Sequence, residues 1–374
     1  MKFDWVIVGA GFSGAVLAER IATQKGQKVL VIERRNHIGG NAYDFYDENG
    51  VLIHKYGPHI FHTNSRKAWE YLSHFTGWRP HFHKVLAVID GHKVPIPFNL
   101  NTLYKLFSPV FASRIEEKLV ARFGFGLRLP ILELQKNEDN DLKFIADYIF
   151  RNLFCGYTQK QWELNVEELD PSVTSRVPVL ISRDNRYFQD KYQGIPKNGY
   201  TVMFQKMLDH PEIKILLNTD YREIIEDVKF NRMIYTGPVD AFFDYLHGSL
   251  PYRSLSFDFN YYGMEVWQEA GQINYPNEYR FTRTTEFKYL TGQNCPGTTV
   301  SVEYPEAYEP GRNEPYYPIP RKVNDEQYEL YKNEMGKLNK SVLFVGRLAD
   351  YKYYNMDQAV VRALSAFEDS DLSN

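Results

Sequence analysis

Apolar residues along the 374-residue chain follow two rhythms, one of strands and one of helices. Residues 3–8 (Phe-Asp-Trp-Val-Ile-Val) are a short apolar run of buried-strand type. Ala15, Leu17, Ala18, Ile21 and Ala22 then fall at helical spacing, Gly26 supplies a stop, and residues 28–32 form a second apolar strand ending in Glu33. The paired prolines in Lys93-Val94-Pro95-Ile96-Pro97-Phe98 break any helix and suit only an edge strand. From about residue 102 to 155 the spacing is helical, through Ile115, Leu119 and Phe123 and then Leu142, Ile145, Ile149 and Leu153, which predicts a small helical bundle. Residues 194–200 read as a turn, followed by a helix through Leu208 and a strand at 213–217. Another strand closes at Tyr235-Thr236-Gly237-Pro238. Between 252 and 317 the stretches are short, β-branched and aromatic, as in an antiparallel sheet. A last strand at 342–345 precedes a helix that opens near Asn355.

The turn between the first strand and first helix is Gly9-Ala10-Gly11-Phe12-Ser13-Gly14. Strand, glycine turn, helix, strand and acid in this order are what a dinucleotide fold needs. Gly9 permits the tight turn, Gly11 lets the backbone approach a pyrophosphate, and Gly14 lets helix and strand pack closely. Glu33 is placed to accept a ribose hydroxyl, and the helix start faces the phosphates. Arg34-Arg35-Asn36-His37-Ile38-Gly39-Gly40-Asn41 then sets a glycine pair just beyond the acid, an arrangement that resembles FAD-binding segments more than NAD-binding ones. Gly346-Arg347 and Asn355-Met356-Asp357-Gln358 form a late strand–Gly-Arg–helix unit of the kind that closes over a ribityl chain. The expected fold class is therefore α/β. A Rossmann-like FAD-binding domain is built from discontinuous segments (1–79, 194–246 and 336–374), with an inserted helical bundle (100–165) and an antiparallel sheet domain (80–99, 166–193 and 247–335).

Composition narrows the function. A net charge of −3 gives no electrostatic reason to bind nucleic acid or an anionic membrane. Two cysteines cannot make a disulfide framework, so a reducing, cytoplasmic setting is expected, and no apolar run approaches bilayer length. Three histidines in residues 54–62, with His81 and His83 further on, invite a metal reading, but no cysteine or carboxylate cluster completes a ligand set. Aromatic residues make up 16% of the chain, 28 of them Tyr, more than core packing readily explains.

Several blocks together carry a resemblance. They are the glycine turn, residues 34–42, Lys55-Tyr56-Gly57-Pro58-His59-Ile60-Phe61-His62-Thr63 and Gly156-Tyr157-Thr158-Gln159-Lys160-Gln161-Trp162. To these are added Arg186-Tyr187-Phe188, Phe281-Thr282-Arg283, Glu314-Pro315-Tyr316-Tyr317-Pro318 and residues 346–354. The chain resembles the bacterial UDP-galactopyranose mutases over nearly its whole length. The resemblance implies interconversion of UDP-galactopyranose and UDP-galactofuranose by non-redox covalent catalysis through N5 of reduced FAD, supplying galactofuranose for cell-surface polysaccharide. It further implies an external reductant, a homodimer and a mobile lid among residues 172–186. By matching positions, Arg176 and Arg283 are its diphosphate-binding arginines, and Tyr187, Tyr317 and Tyr353 bond the phosphates. Thr158 and Trp162 lie at the uridine and sugar end, Asn274 contacts the nucleotide, and His83 is a polar group near ribose or sugar. His59 and Ile60 lie against the flavin. Asn355 departs from the Asp found in many relatives, losing the charge and keeping an acceptor.

Overall fold

The computed structural model describes residues 2–170, 177–338 and 341–369. Its first layer is a five-stranded parallel sheet. In spatial order the strands are Ile213–Leu216, Val29–Ile32, Lys2–Val8, Lys229–Tyr235 and Val342–Phe344. Val29–Ile32 is buried along its whole length and lies between neighbours on both sides, which is why it reads as an uninterrupted apolar run. Against this sheet pack the helices Phe12–Lys25, Tyr200–Leu208 and Met356–Glu368, whose apolar faces form one core with Ile7, Val31 and Ile234. Gly14 is required where helix and strand meet, since a Cβ there would lie 2.0 Å from the Gly9 carbonyl oxygen. The helix ends at Gly26 in the left-handed conformation, whose N–H caps the Ala22 carbonyl.

The helical insertion has its own core, centred on Leu103, Ile115, Leu119, Leu142, Ile145 and Ile149. It comprises Leu100–Leu106, Pro109–Phe123, Ile131–Gln135 and Asn140–Ile149. The last of these widens through a π-turn, Phe150–Cys155, into the helix Gly156–Trp162. The third part is a seven-stranded sheet ordered Tyr317–Pro318, Tyr252–Tyr262, Thr298–Ala307, Arg283–Glu286, Gln272–Asn274, Val85–Ile89 and His92–Ile96. The proline-bearing strand His92–Ile96 does sit at the edge. This sheet is mixed rather than wholly antiparallel, because Gln272–Asn274 runs parallel to Val85–Ile89. Two strands from distant parts of the chain meet here without a hairpin to set their direction. A second difference concerns 194–200. Tyr192–Pro196 is the middle strand of a small sheet between Phe61–Thr63 and Trp78–Pro80, and the turn is confined to residues 197–199. Pairing on both sides outweighs the local turn preference of Gly194 and Pro196.

Candidate active site

The helix Phe12–Lys25 begins at Gly11 with no side-chain cap and no acidic residue in its first turn. Its leading N–H groups therefore await an acceptor, and the helix dipole favours a negative one. Gly40, with φ +55, brings the following segment so close that a Cβ would lie 2.9 Å from Gly11 Cα. The two glycine segments approach too closely to admit a side chain between them. Glu33 is 7% exposed and bonds two backbone N–H groups, Ala10 at 2.9 Å and Arg35 at 3.0 Å, so the acid is fixed beside the turn. Arg34 pairs with Glu314, while Arg35 lies 4.5 Å over the Tyr56 ring and donates to Asn41 Oδ1. Ser13 is buried against Gly346, where the late strand arrives.

Beyond this end opens a cavity of about 500 Å³. Its wall includes, of the residues singled out from the sequence, His59, Ile60, His83, Thr158, Trp162, Tyr187, Asn274, Arg283, Tyr317, Arg347, Tyr353, Asn355 and Met356. Thirteen positions spread over some three hundred residues of chain thus face one space. Asp357 and Gln358 are not in that wall. Asp357 accepts from Thr63 Oγ1 at 2.8 Å, and Gln358 Oε1 accepts from the Asn355 N–H at 2.8 Å in a capping box that starts the last helix. Arg176 lies outside the described residues, as does part of the expected lid.

Arg283 is the cation of this wall that a buried carboxylate holds. Its Nε and Nη2 both bond Glu303 Oε2 at 2.7 Å, and Glu303, 1% exposed, is held in turn by Thr282 Oγ1 at 3.1 Å. Burial is the largest single influence and works against the guanidinium charge, but Glu303, Tyr157 and Tyr317 together outweigh it and keep the pKa well above the usual arginine value. Around it stand phenols and an indole. Trp162 meets Tyr353 edge-on at 5.4 Å, Tyr317 meets Tyr353 at 5.0 Å, and Arg347 lies 5.6 Å over the Tyr317 ring. Burial raises the pKa of Tyr157 and Tyr317, so both remain neutral phenols able to donate. The helix Gly156–Trp162 contributes Tyr157, Thr158, Gln161 and Trp162 on one face, with Phe154 a turn earlier. Gln161 Oε1 in this wall is buried with no hydrogen-bond partner among the described residues, an acceptor that a ligand N–H would satisfy.

The histidines are accounted for individually. Among the described residues no three His, Cys, Asp or Glu side chains gather as a metal site. His54, fully buried, accepts the His59 N–H at 3.0 Å, and burial drives its pKa down to about 3. His59 Nδ1 faces the Gly57 carbonyl at 2.7 Å, and burial lowers its pKa likewise to about 3. His62 stacks at 3.6 Å on Phe188 and pairs with Asp190 at 2.8 Å. Reading the sequence passed over Gln161, Gln272 and Glu303. The first shared a visible helical face with Thr158 and Trp162, whereas only the strand pairing reveals the other two.

Residues 152–353 match the family model of UDP-galactopyranose mutase, and residues 7–75 match that of an NAD(P)-binding Rossmann-like domain. A probable UDP-galactopyranose mutase of Klebsiella pneumoniae is 37% identical over 370 residues, covering 97% of this chain and 94% of that protein. The chain belongs to the UDP-galactopyranose mutase family. A dTDP-fucopyranose mutase of Escherichia coli is 33% identical over 367 residues, covering 96% of each chain. Among solved structures, a reduced UDP-galactopyranose mutase superposes with a TM-score of 0.76 at 16% identity, covering 98% of this mutase-family chain and 93% of the other. A putative protoporphyrinogen oxidase from Exiguobacterium superposes at 0.67 and 13% identity, covering 100% of both, which shows a shared fold. Among the described residues no helix is long and apolar enough to cross a membrane.

Proposed function

We propose that this protein binds FAD and interconverts UDP-galactopyranose and UDP-galactofuranose. The observation that carries the reading is that one cavity holds both a half-buried, carboxylate-fixed cation, Arg283, and the segment His59–Ile60 with Arg347 and Met356 that borders the dinucleotide end. When bound and reduced, the flavin supplies a nucleophilic N5 for the sugar's anomeric carbon, so the cycle has no net redox change. Arg283 faces the diphosphate, and Arg176 is its second diphosphate-binding arginine. As the C1–O bond breaks and charge grows on UDP, a cation already held in place stabilises it without reorganising. Tyr187, Tyr317 and Tyr353 donate phenol O–H bonds to phosphate oxygens. Thr158, Trp162 and Gln161 hold the uridine end, where the orphan Gln161 acceptor suits the imide N–H of uracil. Gly9, Gly11, Ser13, Gly14, Gly40 and Asn41 cradle the FAD diphosphate, and Glu33 and Arg34 border its ribose. Asn355, Asp357 and Gln358 set the helix start at the ribityl side. The protein works in the cytoplasm as a homodimer, draws on an external reductant, and provides galactofuranose for surface polysaccharide.

Purified protein should show a flavin spectrum and, after anaerobic dithionite reduction, convert UDP-galactofuranose to UDP-galactopyranose. Equal turnover with oxidised flavin would overturn the mechanism, and absence of bound flavin would overturn the cofactor. The relative that acts on a dTDP-fucopyranose supports a second reading, a dTDP-linked sugar. Preferential turnover of dTDP-fucopyranose in the same assay would establish it.

A further inference from the structure

Along the Asn274 side of the cavity wall runs a chain of hydrogen bonds. His81 Nε2 and His83 Nδ1 are 3.3 Å apart, His83 Nε2 and Gln272 Oε1 are 3.3 Å apart, and Gln272 Nε2 donates to Asn274 Oδ1 at 2.8 Å. The chain has one consistent direction. Gln272 gives its amide N–H to Asn274, so its oxygen is the acceptor and His83 Nε2 must carry the proton. A neutral His83 then has a bare Nδ1, which accepts from His81 Nε2–H. Burial keeps both rings neutral, lowering the pKa of His83 to about 3 and of His81 to about 4. Arg79 and Arg283, the charged groups near the two rings, act in the same sense. Both ring nitrogens of His83 are thereby engaged inside the wall. At the other end Asn274 has its oxygen occupied and its amide N–H₂ left over, and it lines the cavity. Asn274 is also directly opposite Arg283 on the neighbouring strand, so the two side chains share one face of the sheet.

We propose that His81, His83 and Gln272 are positioning residues, a directed hydrogen-bond chain that turns the Asn274 amide N–H₂ into the cavity beside Arg283 and makes this wall a donor surface for an acceptor oxygen of the nucleotide sugar. The inference rests on the nucleotide-sugar reading of the cavity for its ligand and on the wall alone for its direction. His83 thus acts on substrate through Asn274 rather than by a hydrogen bond of its own.

Two measurements on the oxidised holoenzyme test it. In ¹⁵N-histidine-labelled protein, His83 is expected as the neutral Nε2–H tautomer throughout the neutral pH range. An Nδ1–H tautomer would mean that the chain runs the other way and overturns the proposal, whatever the substrate is. The second is a double-mutant cycle on UDP affinity. His83→Phe is expected to weaken UDP about tenfold, as does Gln272→Leu, the size of one hydrogen bond to an anionic ligand. In an Asn274→Ala background His83→Phe should cost less than twofold more. Full additivity in protein that melts normally, or unchanged affinity in the single variants, would overturn the proposal. Tautomer and coupling as stated, with no turnover of UDP-galactofuranose, would remove the assigned reaction and leave the chain standing.

Discussion

At the scale of single residues, the Arg283–Glu303 pair has the most to lose. Such a pair contributes little net stability, but removing one partner strands the other charge, which costs about 3–5 kcal/mol in a fully buried pair and less here, where Arg283 is partly exposed. Glu303→Ala is therefore expected to lower the melting temperature as well as activity. Arg283→Ala should reduce kcat/KM of the reduced enzyme at least a hundredfold, the order seen when one charge-stabilising contact is removed. Steady-state kinetics beside a thermal melt would separate the two effects, and retained activity in Arg283→Ala would remove its role. The neutral histidines give a pH dependence with a definite sign. His54 and His83, 0% and 2% exposed, have folded pKa values near 3 against an unfolded 6.5. The unfolded chain binds their protons first. Stability is thus full above pH 6.5 and lost as pH falls from there toward 3, by roughly 1.4 kcal/mol per pH unit for each histidine. Unfolding free energies measured across that range should fall less steeply in His54→Phe than in the parent. If the two slopes agree, His54 is not the neutral group described.

At the scale of elements, the glycine-bordered helix start and the capping box make opposite demands. Gly40→Ala adds a Cβ where Gly11 already stands and strains a left-handed backbone. It should empty the protein of flavin, read as the flavin-to-protein absorbance ratio, while leaving circular dichroism intact. Asn355 caps the helix Met356–Glu368 through an acceptor oxygen, a role Asp fills equally well. Asn355→Asp should leave stability unchanged, and Asn355→Ala should cost about 1 kcal/mol in denaturant unfolding. The first strand, glycine turn and helix were legible because period, glycines and acid fall within 33 consecutive residues. Tyr192–Pro196 was not legible. Its glycine and proline signal a turn, and the strands Phe61–Thr63 and Trp78–Pro80 that override them lie more than a hundred residues earlier. Gln161 went unread for another reason, since a neutral amide carries no titration signal and becomes conspicuous only when buried without a partner.

At the scale of the whole molecule, the cavity is assembled from the helical insertion, the seven-stranded sheet and the rim of the parallel sheet together. A ligand that touches all three should stabilise them as a unit. UDP at a hundred times its dissociation constant is expected to add about 2.7 kcal/mol, visible as a single sharpened melting transition. Stabilisation of one of two separate transitions would contradict a shared site. The same dispersal limited what the sequence could show. Motifs named many wall residues, but the pairing of Gln272–Asn274 with Val85–Ile89, and of Arg283 with Glu303, depends on contacts that local spacing does not encode.

The helix nearest the start of the chain, Phe12–Lys25, packs its core face against the helix nearest its end, Met356–Glu368. A ribosome delivers these two elements more than three hundred residues apart. The glycine turn therefore emerges early and waits, with its neighbour missing, until the intervening residues have been made. Val342–Phe344, the strand that completes the parallel sheet, comes almost as late. Nascent chains stalled before residue 340 should fail to retain FAD, while chains released after residue 369 should take it up. Cofactor capture would then act as an inspection of the polypeptide, since only a chain carried through the helix Met356–Glu368 can hold the flavin.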